Sequence, residues 1–212
     1  KSYLIISILV LAMASAPLPA KEPRLSAGFK SGANVSWVTG EAWQEDLVES
    51  LQGDNAPRFG PTLGAFVSVV FPSGFGGRAE LLFAEHGGKV INVVDSDAEF
   101  DARFSLLDIS ILIERRFRLG PGDFSIYLGP TLFLVQGDLV IESDFGGGSS
   151  EERDAPEEDQ FFAASGGLGY QFSLGPGDLL FDARYSRGIT GYNGEEAYDN
   201  AVTLMAGYSF PF

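Results

Sequence analysis

Apolar residues alternate with small or polar residues along most of this chain. Phe29 and Val35 share one parity, for example, whereas Lys30 and Asn34 share the other. Because successive side chains of a β-strand point to opposite faces, this period of two predicts strands. Eight strands are predicted, near residues 25–37, 59–71, 76–86, 104–117, 124–136, 160–172, 179–189 and 201–212.

The predicted connections alternate between short and long. Three are tight turns, at residues 72–74, 119–123 and 174–178. Four are long, at residues 40–58, 87–103, 137–159 and 190–200. Such alternation is typical of an antiparallel up-and-down transmembrane β-barrel of the bacterial outer membrane, with short turns and both termini in the periplasm. Two of the turns repeat the sequence LGPGD; an internal repeat is the alternative explanation, but the strands around them share only the alternation.

The last six residues, GYSFPF, are typical of the closing strand of such a barrel. Tyr208, Phe210 and Phe212 would share one face and form an aromatic edge at the depth of the lipid headgroups. We interpret Gly207, Phe210 and Phe212 as an assembly signal that the barrel-insertion machinery recognises. Pro211 has no N–H, so it is expected at the rim, where no ladder bond is needed.

The N-terminal sequence predicts a signal peptide. A basic first residue precedes an apolar run over Tyr3–Met13, which has about the length of a signal-peptide core. Candidate cleavage signals are Ala14–Ala16 and Leu18–Ala20. A membrane anchor is the alternative, but the run is shorter than the ~20 residues of a spanning helix. The predicted division is a signal peptide over 1–20 and a barrel domain over 21–212.

Composition excludes several classes of function. The chain has 14 basic and 29 acidic residues, and a nucleic-acid partner would require a basic surface. It has no cysteine, so neither a disulfide nor a thiolate metal site can form.

The residue types found at alternate positions of the strands indicate which face of the sheet points into the barrel. Gly64 and Gly167 stand on the polar parity, where small residues suit the crowded interior of a narrow barrel. Charged residues within the strands obey the same parity, apart from Glu85, Arg115 and Arg187 near strand ends. A lipid-facing Arg or Lys costs ~2–4 kcal/mol at the membrane midplane and much less at its edges, so the polar parity is predicted to face the lumen.

Aromatic residues on the apolar parity cluster at the two ends of the strands. One predicted belt contains Phe71, Phe117, Phe124, Tyr170, Phe172, Phe181, Phe210 and Phe212; the other contains Trp37, Phe59, Phe83, Phe162 and Tyr185. Two aromatic belts are typical of a protein that spans a membrane.

Eight charged residues are predicted to line the lumen. They are Lys30, Arg78, Glu80, Asp108, Glu114, Arg116, Asp182 and Arg184, four of each sign. Buried ions are tolerated when they are paired, so the favoured interpretation is a structural network of salt bridges that fills the lumen. A proton or ion path and a catalytic acid–base pair are the alternatives.

Six segments carry a resemblance to a known family: GFKSGANVS at 28–36, AELLFAEHGGK at 79–89, LLDISILIERRF at 106–117, YLGPTLFL at 127–134, DARYSRGITGY at 182–192 and the GYSFPF end. They resemble the PorT-like outer-membrane β-barrel family of Bacteroidetes-type bacteria. The resemblance covers roughly residues 25–212. It implies an eight-stranded barrel in the outer membrane. A few relatives are linked to protein secretion, whereas most have no assigned role.

No motif predicts a catalytic, cofactor-binding or metal-binding residue. His86 is expected at the outer rim, without the His-x-Ser spacing of lipid A deacylases. The alternating acids of 95–101 lack the glycine and the final glutamate of an EF-hand loop, although a looser calcium site stays open. The segment 87–89 lacks the spacing of a phosphate loop, and the Gly-, Ser- and Glu-rich tract 146–152 predicts a disordered loop.

Most of the acidic residues fall in the four long loops. Solubility of the loops explains them; the alternatives are cation bridges to lipid phosphates or docking of a basic partner. The sequence thus predicts an outer-membrane barrel with a filled lumen and a structural or interaction role at the cell surface. Its expected partners are outer-membrane lipid, the insertion machinery and a possible surface protein. A narrow channel and a soluble secreted barrel that binds an apolar ligand are the alternatives.

Overall fold

The computed structural model describes residues 22–49, 52–93, 98–144, 149–153, 160–191 and 197–212. Most of them lie in strands: β1 (Arg24–Thr39), β2 (Asp54–Ala56), β3 (Arg58–Val70), β4 (Phe75–Val93), β5 (Ala98–Leu119), β6 (Gly122–Asp144), β7 (Ser149–Arg153), β8 (Gln160–Leu174), β9 (Gly177–Gly188) and β10 (Tyr198–Pro211). One helical turn, α1 (Glu41–Trp43), continues into a π-helical segment, Gln44–Glu49. Within the described ranges, no helix combines the length and apolar character needed to cross a membrane.

Eight of these strands close into an antiparallel ring. Its order is β1-β3-β4-β5-β6-β8-β9-β10, and β10 pairs with β1 to complete the circle. Each wall strand therefore lies beside the wall strands that precede and follow it along the chain. The short strands β2 and β7 pair with the ends of β4 and β6. The predicted eight-stranded antiparallel up-and-down barrel is confirmed.

The two ends of the barrel differ. One end, which we call the turn end, carries the two-residue turns that join β5 to β6 and β8 to β9. The first residues of β1 and the last residues of β10 pair at the same end. Gly120 and Gly175 open these turns with φ values of +60° and +67°. A type II′ hairpin needs this conformation at its first central residue, and a proline follows in both turns. The opposite end, which carries α1 and β2, is called the loop end.

The prediction of a long loop at 87–103 is wrong, because β4 and β5 extend farther toward the loop end than the alternation predicts. Together they occupy most of the predicted loop 87–103. The glycine pair at 87–88 indicated a turn, yet both residues lie within β4. Gly88 instead makes room for Trp43, since a Cβ at Gly88 would lie 2.8 Å from a ring carbon of that tryptophan. β-Branched residues follow the pair and favour a strand.

The prediction of a disordered tract at 146–152 is wrong for its second half. Ser149–Glu152 lie in β7, which forms backbone pairs with the extended end of β6. This pairing satisfies β6 backbone groups beyond the reach of β8, which is why the strand can continue. Gly146–Gly148 lie outside the described residues. The predicted loop 40–58 likewise contains α1, the π-helical segment and β2.

The barrel has an apolar outer surface and a polar interior. Phe29, Ile111 and Leu204 point outward and are 60%, 67% and 62% exposed, whereas inward-facing Lys30 and Glu114 are 2% and 0% exposed. A water-soluble barrel would reverse these faces. The predicted assignment of the polar parity to the lumen is confirmed.

Candidate functional site

Seven ionised side chains meet inside the barrel and form what we call the ion cluster. Its members are Lys30, Arg78, Glu80, Glu114, Arg116, Asp182 and Arg184. They come from β1, β4, β5 and β9, and the strand alternation aims each of them inward. Seven of the eight charged residues predicted for the lumen are thus brought together, and Asp108 is not among them.

Glu80 contacts three cations of the cluster, including Arg78, whose Nη1 lies 3.4 Å from Oε1. Its Oε1 accepts a hydrogen bond from Lys30 Nζ at 2.7 Å, and its Oε2 contacts the guanidinium of Arg184. Lys30 Nζ also lies 3.5 Å from Asp182 Oδ2. Because these side chains are buried, each charge depends on its partner for stabilisation that water would otherwise provide.

Arg78 connects the two sides of the cluster. It donates to Glu114 Oε2 at 2.7 Å and to Asp182 Oδ2 at 3.1 Å. Its guanidinium carbon lies 5.0 Å from the centre of the Tyr127 ring, and the Tyr127 hydroxyl donates to Asp182. Tyr127 was not predicted as a site residue. Its inward parity on β6 was the available signal, because an aromatic ring facing a charged lumen can contribute both a hydroxyl and a cation–π face.

Gly167 provides the space that the Tyr127 ring occupies. A Cβ at this position would lie 2.6 Å from Tyr127 Cζ and closer still to the Ala183 carbonyl oxygen. We therefore expect Gly167→Ala to lower the free energy of unfolding by ~1–3 kcal/mol, the usual cost of overpacking. Urea unfolding of the purified barrel in detergent measures the change.

Gly166 offers a matched control on the same strand. An added Cβ there would lie 3.4 Å from its nearest neighbour, the Tyr127 carbonyl oxygen, so Gly166→Ala should change stability much less. Equal losses in the two variants would show that the glycine at 167 does not serve to accommodate the ring.

Asp108 lies apart from the ion cluster, in a second polar group. Its Oδ1 has no hydrogen-bond partner among the described residues. In the same group the His86 Nδ1 and Asp199 Oδ2 atoms are 2.7 Å apart, and the imidazole meets the Phe133 ring edge-on with centroids 5.6 Å apart. The sequence placed His86 at the rim, but its exposure is only 2%. Asp199 was assigned to a loop, whereas β10 begins one residue before it.

A row of four buried hydroxyl groups crosses the inner wall. Ser110, Thr131, Ser165 and Ser186 stand on the adjacent strands β5, β6, β8 and β9. Successive oxygens are 2.8, 2.6 and 2.8 Å apart. A hydroxyl can donate one bond and accept others, so the row satisfies its own polar atoms and needs no charge.

An apolar group closes the lumen at the loop end, and we call it the cap. It contains Val38, Trp43, Val48, Val90 and Ala102. The Trp43 indole donates to Asn55 Oδ1 at 3.3 Å, and the Asn55 amide donates to the Val38 carbonyl at 3.0 Å. The segment between β1 and β3 thus folds inward over the mouth.

Arg58 forms a further ionic contact near the loop end. Its Nε donates to Asp101 Oδ1 at 3.0 Å, and its Nη2 lies 3.3 Å from Glu85 Oε2. Lys89 Nζ lies 3.3 Å from the second oxygen of Asp101. Asp101 belongs to the acidic stretch 95–101, whose first three residues lie outside the described ranges. Among the described residues, no three acidic or histidine side chains are grouped so that they could hold a metal ion.

The three residues interpreted as an assembly signal lie at the turn end of β10. Gly207 pairs with Lys30, and a Cβ on the glycine would lie 2.7 Å from the lysine Cβ. Phe210 and Phe212 are 46% and 75% exposed, and the backbone N–H of Phe212 donates to the Leu25 carbonyl at 3.0 Å. The last strand thus closes against β1. Recognition by the insertion machinery stays a prediction.

Three solved outer-membrane proteins are similar to this chain. Ail, the attachment invasion locus protein of Yersinia pestis, solved with the heparin analogue sucrose octasulfate, is 16% identical with a TM-score of 0.44, over 88% of this chain and 99% of that one. OprG from Pseudomonas aeruginosa is 11% identical with a TM-score of 0.48, over 90% and 95% of the two chains. Neisserial surface protein A is 14% identical with a TM-score of 0.43, over 91% and 100%.

A comparison with curated proteins gives no significant match. The family model for the outer membrane protein beta-barrel domain matches residues 6–210. This match spans almost the whole chain and agrees with the closed ring of eight strands. The chain therefore belongs to the outer membrane protein beta-barrel domain family.

Proposed function

We propose that this protein is a non-conducting barrel of the outer membrane with a structural or interaction role at the cell surface. The observation that carries the proposal is closure of the lumen at two levels, by the ion cluster and by the cap. An eight-stranded barrel has an interior just wide enough for side chains, so these two layers leave little room for a continuous aqueous path.

Purified protein is expected to give no steady conductance steps in planar bilayers. The reason is that paired charges at the turn-end side and apolar side chains at the loop end both oppose the passage of ions. The control is a double variant, Arg78→Ala with Arg184→Ala, which removes two long side chains from the lumen. It shows whether the assay can detect conductance through a widened interior. Regular steps from the unaltered protein would favour the narrow channel instead.

The proposal places the turn end and both termini in the periplasm and the loop end outside. An epitope tag inserted at 146–148 is therefore expected to bind antibody on intact cells. The same tag in the turn at 120–121 should become accessible only after the outer membrane is permeabilised. The reverse result for the two tags would mean that the orientation is inverted.

Three narrower assignments rest on the sequence alone. Within the family, the chain is proposed to be PorT-like, on the strength of segments such as 79–89 and 106–117. Residues 1–20 are proposed to be a signal peptide. The insertion machinery is proposed to recognise Gly207, Phe210 and Phe212 before the barrel closes.

A basic surface partner is proposed for the acidic loop end, since most of the acidic residues fall in the four segments that the sequence predicts as long loops, 40–58, 87–103, 137–159 and 190–200. The proposal includes no catalytic residue. His86, the lone histidine of the chain, is buried beside Asp199, away from any substrate in solution. No cofactor is proposed either.

A further inference from the structure

A cavity of about 290 Å³ opens at the turn end of the lumen, and we call it the vestibule. Its lining includes Arg24, Arg116 and Arg118, together with the carboxylates of Glu22 and Asp123. The three arginines share the inward parity of their strands, whereas Phe71 and Phe117, which also line the cavity, have the outward parity. The vestibule therefore lies at the rim of the lumen, with its charged groups on the inner side.

Arg116 connects the vestibule to the ion cluster. Its Nε and Nη2 lie 3.0 and 2.8 Å from Glu114 Oε1, and Nη2 also donates to Ser68 Oγ at 3.0 Å. These contacts hold the guanidinium in place with 12% of its side chain exposed. Among the described residues, no hydrogen bond uses Nη1. A positioned guanidinium with an unused edge is well suited to an anion, because little conformational entropy is lost on binding.

The ion cluster has more cations than carboxylates. Lys30, Arg78, Arg116 and Arg184 face only Glu80, Glu114 and Asp182, a formal surplus of one positive charge. Three buried donor atoms, Arg78 Nε and Arg184 Nε and Nη1, also have no hydrogen-bond partner among the described residues. These two arginines do not line the vestibule, so it is Arg116 that links the excess positive charge of the cluster to the cavity. Buried charge is stable only when it is compensated, so this surplus favours an anion close to the cluster.

The charged groups at the entrance do not cancel the surplus. Arg24 and Arg118 are matched in number by Glu22 and Asp123. The Arg118–Asp123 pair, at 3.3 Å, has its arginine 70% exposed, and an exposed pair of this kind is weak enough to rearrange around a ligand.

We propose that the vestibule is a binding site for a carboxylate or phosphate group, held by Arg116 and approached past Arg24 and Arg118. Guanidinium groups bind both kinds of anion through paired, charge-assisted hydrogen bonds. The volume of the vestibule lies just below the usual range of volumes for small-molecule binding sites. The ligand is therefore a small anion or one anionic group of a larger molecule. In the proposed orientation this ligand comes from the periplasm, but the site itself does not depend on the orientation.

The test uses the purified full barrel in an uncharged detergent. Inorganic phosphate and glutarate are titrated separately at constant ionic strength, with sodium chloride as the reference, and binding is followed by NMR of arginine side-chain signals. At least one probe is expected to saturate its shifts. If phosphate binds tighter, the ligand carries a phosphate; if glutarate binds tighter, it carries a carboxylate; equal affinity supports the shared chemistry.

Variants locate the site. Arg116→Gln is expected to weaken binding about tenfold or more, the range for losing a hydrogen bond to a charged group. Arg24→Gln should weaken anion binding less. Because Arg24 is exposed and lies outside the ion cluster, this variant should fold and keeps the test valid if Arg116→Gln does not. Arg187→Gln, an exposed arginine near the loop end, should bind as the unaltered protein does. Absence of saturation with both probes, or equal binding by the Arg24 and Arg187 variants, would overturn the proposal.

Discussion

Replacing Arg78 by alanine is expected to lower the free energy of unfolding by about 3–5 kcal/mol, the cost of leaving a buried charge without its partner. Arg78 lies 2.7 Å from Glu114 and 3.1 Å from Asp182, and all three side chains are at most 6% exposed. Alanine would leave both carboxylates in a dry interior with fewer cations. Urea unfolding of the purified barrel in detergent, followed by the shift in electrophoretic mobility on heating, measures the loss.

Two companion variants separate burial from charge. Arg118→Ala removes an exposed arginine whose partner Asp123 is 3.3 Å away, so the loss should be at most ~1 kcal/mol. The double change Arg78→Met with Glu114→Gln removes opposite charges together and should recover part of the stability lost in Arg78→Ala. If Arg78→Ala cost no more than Arg118→Ala, the ion cluster would not be the stabilising element described here.

Deleting Phe212 is expected to reduce the amount of folded, heat-modifiable barrel in the outer membrane several-fold. The finished barrel should be affected far less, because Phe212 is 75% exposed and its backbone makes one hydrogen bond, to Leu25 at 3.0 Å. An exposed terminal residue usually contributes within about 0.5 kcal/mol to stability. The deletion therefore distinguishes a role in assembly from a role in packing.

Pro211→Ala is the matched control for this deletion. Pro211 ends β10 opposite Ser26 and is exposed, so alanine at this rim position should leave both membrane levels and stability nearly unchanged. Normal membrane levels of the Phe212 deletion would show that the C-terminal aromatic residue is not an assembly signal. Loss of stability in the refolded deletion variant would show that Phe212 acts through packing.

The alternation predicted the barrel well because lipid and lumen impose opposite demands on successive residues. The same parity located seven members of the ion cluster, since an unpaired lipid-facing charge is costly at the membrane midplane. It could not show which charges meet. Asp108 has the same inward parity as Glu114 on β5, yet it lies with His86, because position along the strand decides the neighbours across the lumen.

The errors occur where a local signal competes with long-range pairing. The pair Gly87 and Gly88 favours a turn locally, but both residues lie in β4 because they pair with residues of β5. The alternation predicts loops at Arg58 and Asp199 because both precede its regular part. Each nevertheless lies at the start of a strand, where Asp199 makes a buried contact and Arg58 a partly buried one. Such contacts span dozens of residues, so no local pattern reveals them.

The seam between β1 and β10 joins the first wall strand to the last, with Ser26 opposite Pro211 and Thr39 opposite Tyr198. These contacts have nearly the largest sequence separation that the chain allows, and such contacts form slowly because a long segment must first be ordered. Until then the free edge of β1 exposes unpaired backbone groups, which can pair with the wrong strand or another molecule. We therefore expect pairing of β1 with β10 to be the last and slowest folding step. The yield of folded barrel should then depend on how well the free edge of β1 is protected until that step.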